Sequence, residues 1–565
     1  MLKLFENNVT YLQDANYRKR ILLFTTIIYI LFIGNVNLFD WDEINFAEAA
    51  REMIVTGDYL NVRIDYEPFH EKPPLFIWMQ VISMKILGVS EQSARLPNVI
   101  FGILTLSFLI RIGKNIFDRR FGYLWALAYF GSLLPHFYFK SSIIDPVFNF
   151  FMFAGVYYLF RFTSENMITG KIINRDIYWA GLYTSLAFMT KGPVGFMLVF
   201  ITWAVFWGFN ARSFQLPVKQ ILIFTGISFL PAVIWYAAIF YQQGGGIISE
   251  FITYQIRLLT TGDAGHEGPF YYHFLVVFLG CFPASIFVFR AFRNSEFDNS
   301  SQKIFKNFNI ILLAVVLIIF SIVKTKIVHY SSLSYFPVTF LAAYTMHKII
   351  NGEIRNKLST NIGVAAIGII LSILFIAFPL VLMNIDSFLP QITDKFTNAL
   401  LQAEVSWTGF EIVVGFTLLI GTIFYLIYSI RKEYLKSYIS IYLATALTIF
   451  LFLPVMAPKI GIYTQRAPVD FFKSLAGKDV YVHTLGYKSY APYFYQRKEL
   501  KNSKYYMKMT GEEYEDFLLT GNIQKPAYFS AKNNNIDEYL VRQPQLKELY
   551  RKNGFVFFVR EPVKE

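Results

Sequence analysis

Long apolar runs recur along this chain at a spacing that only a membrane accommodates. A helix needs ~20 predominantly apolar residues to cross a bilayer. Thirteen candidate stretches lie near residues 20–39, 95–112, 121–139, 143–161, 177–190, 193–209, 219–240, 270–290, 309–323, 330–347, 360–383, 408–429 and 437–457. The expected class is therefore a polytopic α-helical membrane protein, because helices satisfy their own backbone polar groups in lipid. Of 565 residues, 55% are hydrophobic and 16% charged, and 60 Phe and 37 Tyr supply bulk for acyl tails and rings for the headgroup level. Arg18-Lys19-Arg20 precede the first run, which is too long for a signal-peptide core and has no small-residue cleavage site, so an uncleaved first span is expected. The single cysteine, Cys281, lies in an apolar run and reads as a small buried hydrophobe.

A net charge of +13 could point to nucleic acid, but its placement gives it another meaning. Lysine and arginine crowd alternate connectors, such as Lys114, Arg119 and Arg120, then Lys348, Arg355 and Lys357, then Arg431, Lys432 and Lys436. The intervening connectors after the first hold only Lys140, Lys191, Arg257, Lys324, Lys326 and Lys395. That asymmetry puts the N-terminus inside and excludes a nucleic-acid partner as the reason for the charge. The run from Leu75 to Val89 carries Lys85 and is short, so it reads as an interfacial helix. An odd number of spans then places the tail outside. The expected division is a membrane domain over 1–457 and a small extracytoplasmic α/β domain over 458–565. In the tail, strand-like runs (Asp479 to His483, Pro526 to Phe529, Phe555 to Val559) alternate with helical patterns (Glu512 to Leu519, Asp537 to Tyr550), and no catalytic constellation is visible.

The first outer loop, residues 40–95, is far longer than a connector requires. It holds ten carboxylates (Asp40, Asp42, Glu43, Glu48, Glu52, Asp58, Asp65, Glu67, Glu71 and Glu91) against five bases, Arg51, Arg63, Lys72, Lys85 and Arg95. Asp42 to Val55 reads as a helix closed by Thr56-Gly57. Asp42 and Glu43 at its start suit either of two roles: helix capping, or, for Asp42 just beyond a span, a base facing an acceptor at the lipid–water boundary. In His70-Glu71-Lys72-Pro73-Pro74 the prolines hold the chain extended, and Lys72 either anchors at the interface or meets a lipid phosphate as a point charge.

These motifs carry a resemblance. Trp41-Asp42-Glu43-Ile44-Asn45-Phe46-Ala47-Glu48-Ala49-Ala50-Arg51-Glu52-Met53, Thr56-Gly57-Asp58, Glu67-Pro68-Phe69-His70-Glu71-Lys72-Pro73-Pro74 and Ala94-Arg95-Leu96-Pro97 occur in the order and rough spacing of one family. Weaker echoes follow at Asp145-Pro146, Thr190-Lys191-Gly192-Pro193, His266 with Gly268 to Tyr272, and Lys324-Thr325-Lys326 with His329-Tyr330. The chain resembles the polyprenyl-phosphate-dependent GT-C glycosyltransferases of the protein-mannosyltransferase superfamily, closest to the aminoarabinose lipid A transferase branch. The resemblance implies inverting transfer from an undecaprenyl-phosphate sugar to lipid A, another glycolipid or glycan, or protein, in a bacterial inner membrane. It makes Asp42 the matching catalytic aspartate, sets Lys72 near the donor phosphate, aligns Asp145 and Lys191 with the active-site cavity, and aligns His266 and Tyr330 with its rim. Asn45-Phe46 stand where the family usually has Arg-Tyr, and His70 where it often has an aromatic, so the sugar does not follow from the resemblance.

Other residues have competing readings. Asp145 followed by Pro146 is also what an N-cap and first helical residue look like. Lys191 is a charge in a tight turn or a phosphate ligand, and Lys324 and Lys326, on the side where bases are scarce, suit an anionic lipid. His266 with Glu71 or Asp263 offers imidazole and carboxylate for a divalent ion, whereas His329 reads as an ordinary hydrogen-bonded histidine. Gly244-Gly245-Gly246 reads as a hinge in a loop that closes over the site. The candidate site is thus Asp42, Glu43, Lys72 and Asp145 for catalysis, with Glu71, Lys191, His266, Lys324, Lys326 and Tyr330 for substrate. The alternative, a transporter or flippase for an anionic lipid or solute, would place charges at midplane in paired repeats, and no repeat is visible. The charge pattern makes one outcome checkable: a reporter fused after Glu565 is active only outside the cytoplasm, and one inserted near Asn115 only inside. The reverse result would require the Leu75–Val89 helix to cross.

Overall fold

The computed structural model describes residues 5, 6, 10–69, 71–212, 218–244, 246, 253, 267–292, 296–536, 539, 540, 543 and 545–562. Ten helices come first: α1 (Tyr11–Ile30), α2 (Asp42–Thr56), α3 (Leu75–Leu87), α4 (Glu91–Ile116), α5 (Arg119–Phe130), α6 (Leu133–Tyr138), α7 (Asp145–Thr169), α8 (Asn174–Lys191), α9 (Val194–Asn210) and α10 (Val218–Gln243). The later long helices are Ser300–Ile322, Tyr335–Ile350, Leu358–Met383, Val413–Ile430 and Tyr434–Val455. Helix stands at every expected stretch. Among the described residues six are long and apolar enough alone to cross a bilayer: α4, α10, Ser300–Ile322, Leu358–Met383, Phe410–Ile430 and Tyr434–Val455.

Three of the expected spans differ in form. The stretch 121–139 is two helices, because the chain breaks at Gly131, where a Cβ would stand 2.5 Å from the Tyr442 backbone oxygen. The stretch 270–290 is Tyr272–Gly280 and Ala284–Ala291, bent by 111° at the break that holds Pro283. Helix α1 ends at Ile30, short of the expected boundary, because the carbonyls of Ile33, Val36 and Asn37 turn to the Arg95 guanidinium at 2.6, 2.8 and 3.1 Å. Helix α3, with 13 residues, is too short to span; it buries Phe76, Ile77 and Met84 and exposes Ile82, Ile86 and Leu87. Cys281 is free and fully buried.

Two short strands of the first loop, β1 (Arg63–Ile64) and β2 (Glu67–Pro68), pair antiparallel, and the tail forms a four-stranded sheet in the order β3 (Tyr481–Leu485), β4 (Ala527–Lys532), β6 (Phe555–Arg560), β5 (Lys547–Lys552). Strand β3 runs parallel to β4, and the other pairs are antiparallel. The helix Gly511–Thr520 matches its expectation. The helical pattern expected up to Tyr550 does not hold, since residues 547–550 begin β5. Every residue of that edge strand is exposed, so its charges show no alternation to read. The sheet does not stand apart from the membrane part: Ile44, Ala47, Ala50 and Met53 of α2 share one hydrophobic cluster with Phe471, Phe472, Val482, Phe494, Phe555 and Phe557. Small alanines on α2 allow that close approach.

Charge pins α2 as firmly as burial does. Arg95 of α4 donates to both Glu43 oxygens, at 3.0 and 2.7 Å, while Glu43 also accepts from the amides of Phe39 at 2.8 Å and Ser142 at 2.5 Å. Burial alone would raise the Glu43 carboxyl, but Arg95 and the two amides hold it below the ordinary glutamate value. A carboxyl held low contributes stability above the unfolded value, ~4.3, and that contribution is lost as pH falls through the folded value. Glu43→Gln leaves Arg95 buried without its counter-charge, at a cost of about 3–5 kcal/mol. The expected outcome is a lowered thermal midpoint in detergent, with the Glu43 share of the acid-dependent stability abolished. An unchanged midpoint would show that the pair is dispensable.

Candidate active site

A cavity of about 660 Å³ opens where α2, the residues Phe69, Glu71 and Lys72, the ends of α6 and α8, the segment after Ile322 and the tail converge. That size suits a small-molecule ligand, within the ~300–1,000 Å³ of typical sites. It is lined by Trp41, Asp42, Glu43, Glu71, Lys72, Tyr138, Lys191, His329, Tyr330, Lys488 and Tyr490, among others.

Local structure explains each position. Helix α2 starts after Trp41, whose φ of 76° is strained for a non-glycine residue, and it has no side-chain capping bond. The N-cap is thus Trp41, and Asp42 is the first helical residue, at the positive end of the helix dipole. Its side chain is 45% exposed at the cavity, with His329 Nε2 at 3.5 Å from Oδ2. Gly57, at φ 71°, closes α2 as the Thr56-Gly57 signal implied. Lys72 precedes Pro73-Pro74 at the start of α3, and Glu71 stands 3.9 Å from its ammonium. Burial pushes the Lys72 ammonium below its ordinary value; Glu71 opposes that and Lys191 adds to it. An arriving anion would relieve that penalty.

Asp145 is the first residue of α7, and its helix too has no side-chain cap, so the N-cap reading fails here. It pairs instead with Lys191, the last residue of α8, at 2.6 Å. The two helices form a hairpin, which sets a carboxylate at one helix start beside a cation at the other's end, both favoured by the helix dipoles. The Lys191 ammonium also lies 5.4 Å from the centre of the Tyr330 ring.

Lys326 has a different place from the one expected. Its ammonium donates to the carbonyls of Phe320, Ser321 and Val323 at 3.0, 2.7 and 2.5 Å, closing the helix Ser300–Ile322. This cap turns the chain into the short helix Val328–Ser334, which carries His329 and Tyr330 to the cavity wall. Lys324 is exposed and, like Lys326, is not among the cavity-lining residues. His266, Asp263 and Gly245 lie outside the described residues. Among the described residues no group of three His, Cys, Asp or Glu side chains could hold a metal ion, and the divalent site that the sequence allows through Glu71 and His266 includes residues outside them.

The sequence reading missed the tail's part in the cavity. The Asp40 carboxylate accepts from the Trp41 amide at 2.9 Å, the Tyr490 amide at 3.0 Å and the Ser489 hydroxyl. Leu38 is tied to the tail as well: its amide donates to the Tyr495 hydroxyl at 2.7 Å, and its carbonyl accepts from the Gln465 side-chain amide at 2.5 Å. Lys488 thereby rests over the Trp41 and Tyr490 rings, 5.0 and 5.2 Å from their centres. No periodicity or spacing in Lys488-Ser489-Tyr490 marks it. The signal for Arg95 was present in Ala94-Arg95-Leu96-Pro97, though without its role.

Comparison with solved structures decides the fold. The chain superposes on the crystal structure of ArnT from Cupriavidus metallidurans bound to undecaprenyl phosphate with a TM-score of 0.75 at 17% identity, over 97% of this chain and 98% of that one. Its apo form gives 0.74. The fold is that of the GT-C glycosyltransferases. Sequence agrees with this GT-C fold: residues 71–235 match the dolichyl-phosphate-mannose-protein mannosyltransferase family, a segment containing Lys72, Asp145 and Lys191. A relative from Pectobacterium carotovorum subsp. carotovorum, undecaprenyl phosphate-alpha-4-amino-4-deoxy-L-arabinose arabinosyl transferase, is 26% identical over 336 residues, 57% of this chain and 58% of that protein. An uncharacterized protein of Aquifex aeolicus is 29% identical over 59% of this chain and 74% of its own length. The match thus spans little more than half of the arabinosyl transferase, and the resemblance read from the 40–95 motifs holds.

The Asp40 clamp yields a prediction. Asp40→Ala removes the acceptor shared by Trp41, Ser489 and Tyr490, a loss of about 2 kcal/mol from hydrogen bonds to a charged group. Trypsin should then cut after Lys488 faster than in the wild type, before the membrane helices lose ellipticity. Equal cutting rates would mean that the clamp does not hold the segment.

Proposed function

We propose that this chain is an inverting hexosyl- or pentosyltransferase that moves a sugar from an undecaprenyl-phosphate carrier to lipid A or another envelope glycolipid, glycan or protein. It acts at the outer face of a bacterial inner membrane. In this reading residues 1–457 form the membrane catalytic domain, with thirteen crossings and a cytoplasmic N-terminus, and 458–565 an extracytoplasmic domain. The observation that carries it is the meeting, in one cavity, of a half-exposed Asp42 with two lysines, Lys72 and Lys191, each brought there by a motif of the resemblance. The similarity to enzymes named for undecaprenyl-phosphate sugar transfer supports a transferase over a transporter.

The chemistry follows from charge. As the bond between the anomeric carbon and the phosphate oxygen breaks, negative charge grows on a phosphate monoester, and Lys72 and Lys191 are the cations that stabilise it. The acceptor oxygen attacks from the opposite face, which inverts the anomeric centre. Asp42 takes the proton when the acceptor is a hydroxyl, and orients the acceptor when it is an ionised phosphate. Asp145 keeps Lys191 in place, and Glu43, with both oxygens committed to Arg95 and backbone amides, holds the start of α2 and so Asp42 itself. Glu71 and Tyr330 line the donor side of the cavity.

The test is transfer from a synthetic polyprenyl-phosphate sugar to lipid A in purified, lipid-reconstituted enzyme. Asp42→Asn should lower the rate roughly a hundredfold or more when the acceptor is a hydroxyl, with the thermal midpoint unchanged. Lys72→Ala should weaken both donor affinity and turnover, and Lys72→Arg restore part of each, since the charge returns without the compact geometry. Wild-type rates in Asp42→Asn and Lys72→Ala would remove both from the site.

A further inference from the structure

Three groups meet at His329. Its Nε2 is 3.5 Å from Asp42 Oδ2 and 3.9 Å from Asp145 Oδ2, and Asp145 Oδ1 is committed to Lys191 at 2.6 Å. The imidazole edge lies beside Tyr330, with ring centres 5.5 Å apart, and the side chain is 16% exposed. Asp145 Oδ2 is buried and has no hydrogen-bond partner among the described residues. One ring nitrogen thus stands between two carboxylate oxygens, both slightly beyond the ~2.7–3.2 Å of a hydrogen bond. Such contacts tighten when a ligand fills the site.

We propose that His329 is a positioning residue for the transfer: its Nε2–H, shared between two carboxylates, holds Asp42 toward the acceptor, while Asp145, fixed by Lys191, anchors the same edge of the imidazole. The inference rests on the reading of Asp42 as the group that meets the acceptor. The charged groups facing the ring are Asp42, Asp145, Lys191 and Lys72, and burial keeps the imidazole below its ordinary value, neutral near pH 7. A neutral ring has one proton to give, so the tautomer with hydrogen on Nε2 is the useful one. A base oriented by a second group, itself oriented by a third, is a recurring way to fix a reacting atom. Here Lys191, Asp145 and His329 form the ordered series behind Asp42. The segment carrying His329 is itself set by the Lys326 cap, so all four side chains rest on helix ends.

The experiment uses the full chain in nanodiscs, with a synthetic polyprenyl-phosphate sugar as donor and lipid A as acceptor. His329→Leu should lower kcat about tenfold or more while the donor KM changes less than about twofold, and His329→Gln, which keeps a donor group, should recover most of the loss. A second readout does not depend on activity. The chain has seven histidines, so ¹⁵N-histidine spectra are tractable, and His329 is assigned by the signal lost in His329→Gln. Asp42→Asn should shift the His329 Nε2 resonance and leave those of the buried His136 and His273 in place. An unmoved resonance, or wild-type kcat in His329→Leu, overturns the inference. A wild-type enzyme that transfers no sugar overturns the proposed function, and the spectra then decide the His329–Asp42 contact on their own.

Discussion

Arg95 joins four pieces of chain that lie far apart in sequence. Its guanidinium reaches the turn after α1 through three carbonyls and Glu43 of α2 through two nitrogens, and Glu43 in turn takes the amide of Ser142 ahead of α7. Both side chains are almost wholly buried, so neither charge is tolerable without the other. The ion pair is less a source of net stability than a constraint on geometry, because every donor and acceptor in it has one place to be. Asp42 precedes Glu43 by one residue, so its own side chain is aimed at the cavity by a contact it does not make. The strained φ of Trp41 is held by the same arrangement.

A second buried charge group does the corresponding work between α2 and the tail. Arg51 donates to both Glu48 oxygens, at 2.7 and 2.6 Å, and to the Lys498 carbonyl at 3.1 Å, while the Lys498 ammonium pairs with Asp65 at 2.8 Å. Glu52 accepts from the Tyr66 amide at 2.9 Å. Three carboxylates against two cations would leave an uncompensated charge. Burial and the neighbouring Glu48 raise Glu52 well above its ordinary value, so it is the member that takes up a proton most readily. The many carboxylates of the 40–95 loop are thus mostly structural: they lock the tail sheet onto the helical part of the chain.

The parts legible in the sequence are those governed by local rules. Apolar runs marked helix positions, Thr56-Gly57 marked the end of α2, and three of the four tail strands showed their burial. What was hidden depends on contacts across the chain. Gly131, at the break between α5 and α6, sits where Tyr442 leaves no room for a Cβ, and nothing near residue 131 announces that neighbour. Lys326 was read by its charge and side, yet its protons go to the carbonyls of the helix just before it. His329 looked ordinary because its two carboxylates come from α2 and α7, nearly three hundred and nearly two hundred residues away. Lys488 and Tyr490 enter the cavity only because Asp40 reaches across to the tail.

The electrostatics of the proposed reaction can be followed one step further through Lys72. Burial disfavours its charged form, and a phosphate within reach favours it, so by linkage the protonated lysine and the phosphate each strengthen the binding of the other. The donor is a phosphodiester with one negative charge, and the leaving group is a monoester that gains more. The cation therefore interacts more strongly with the phosphate as the anomeric bond lengthens than it does in the ground state, and that difference is what accelerates a chemical step. Lys191 contributes less of this difference, since Asp145 already neutralises it at 2.6 Å. Its pairing has a separate consequence: with one cation compensated and the other buried, the empty cavity does not present two bare positive charges to whatever anionic lipid drifts past. Selectivity for a carrier phosphate then falls chiefly to Lys72, whose charged form is disfavoured by burial and favoured again by that phosphate.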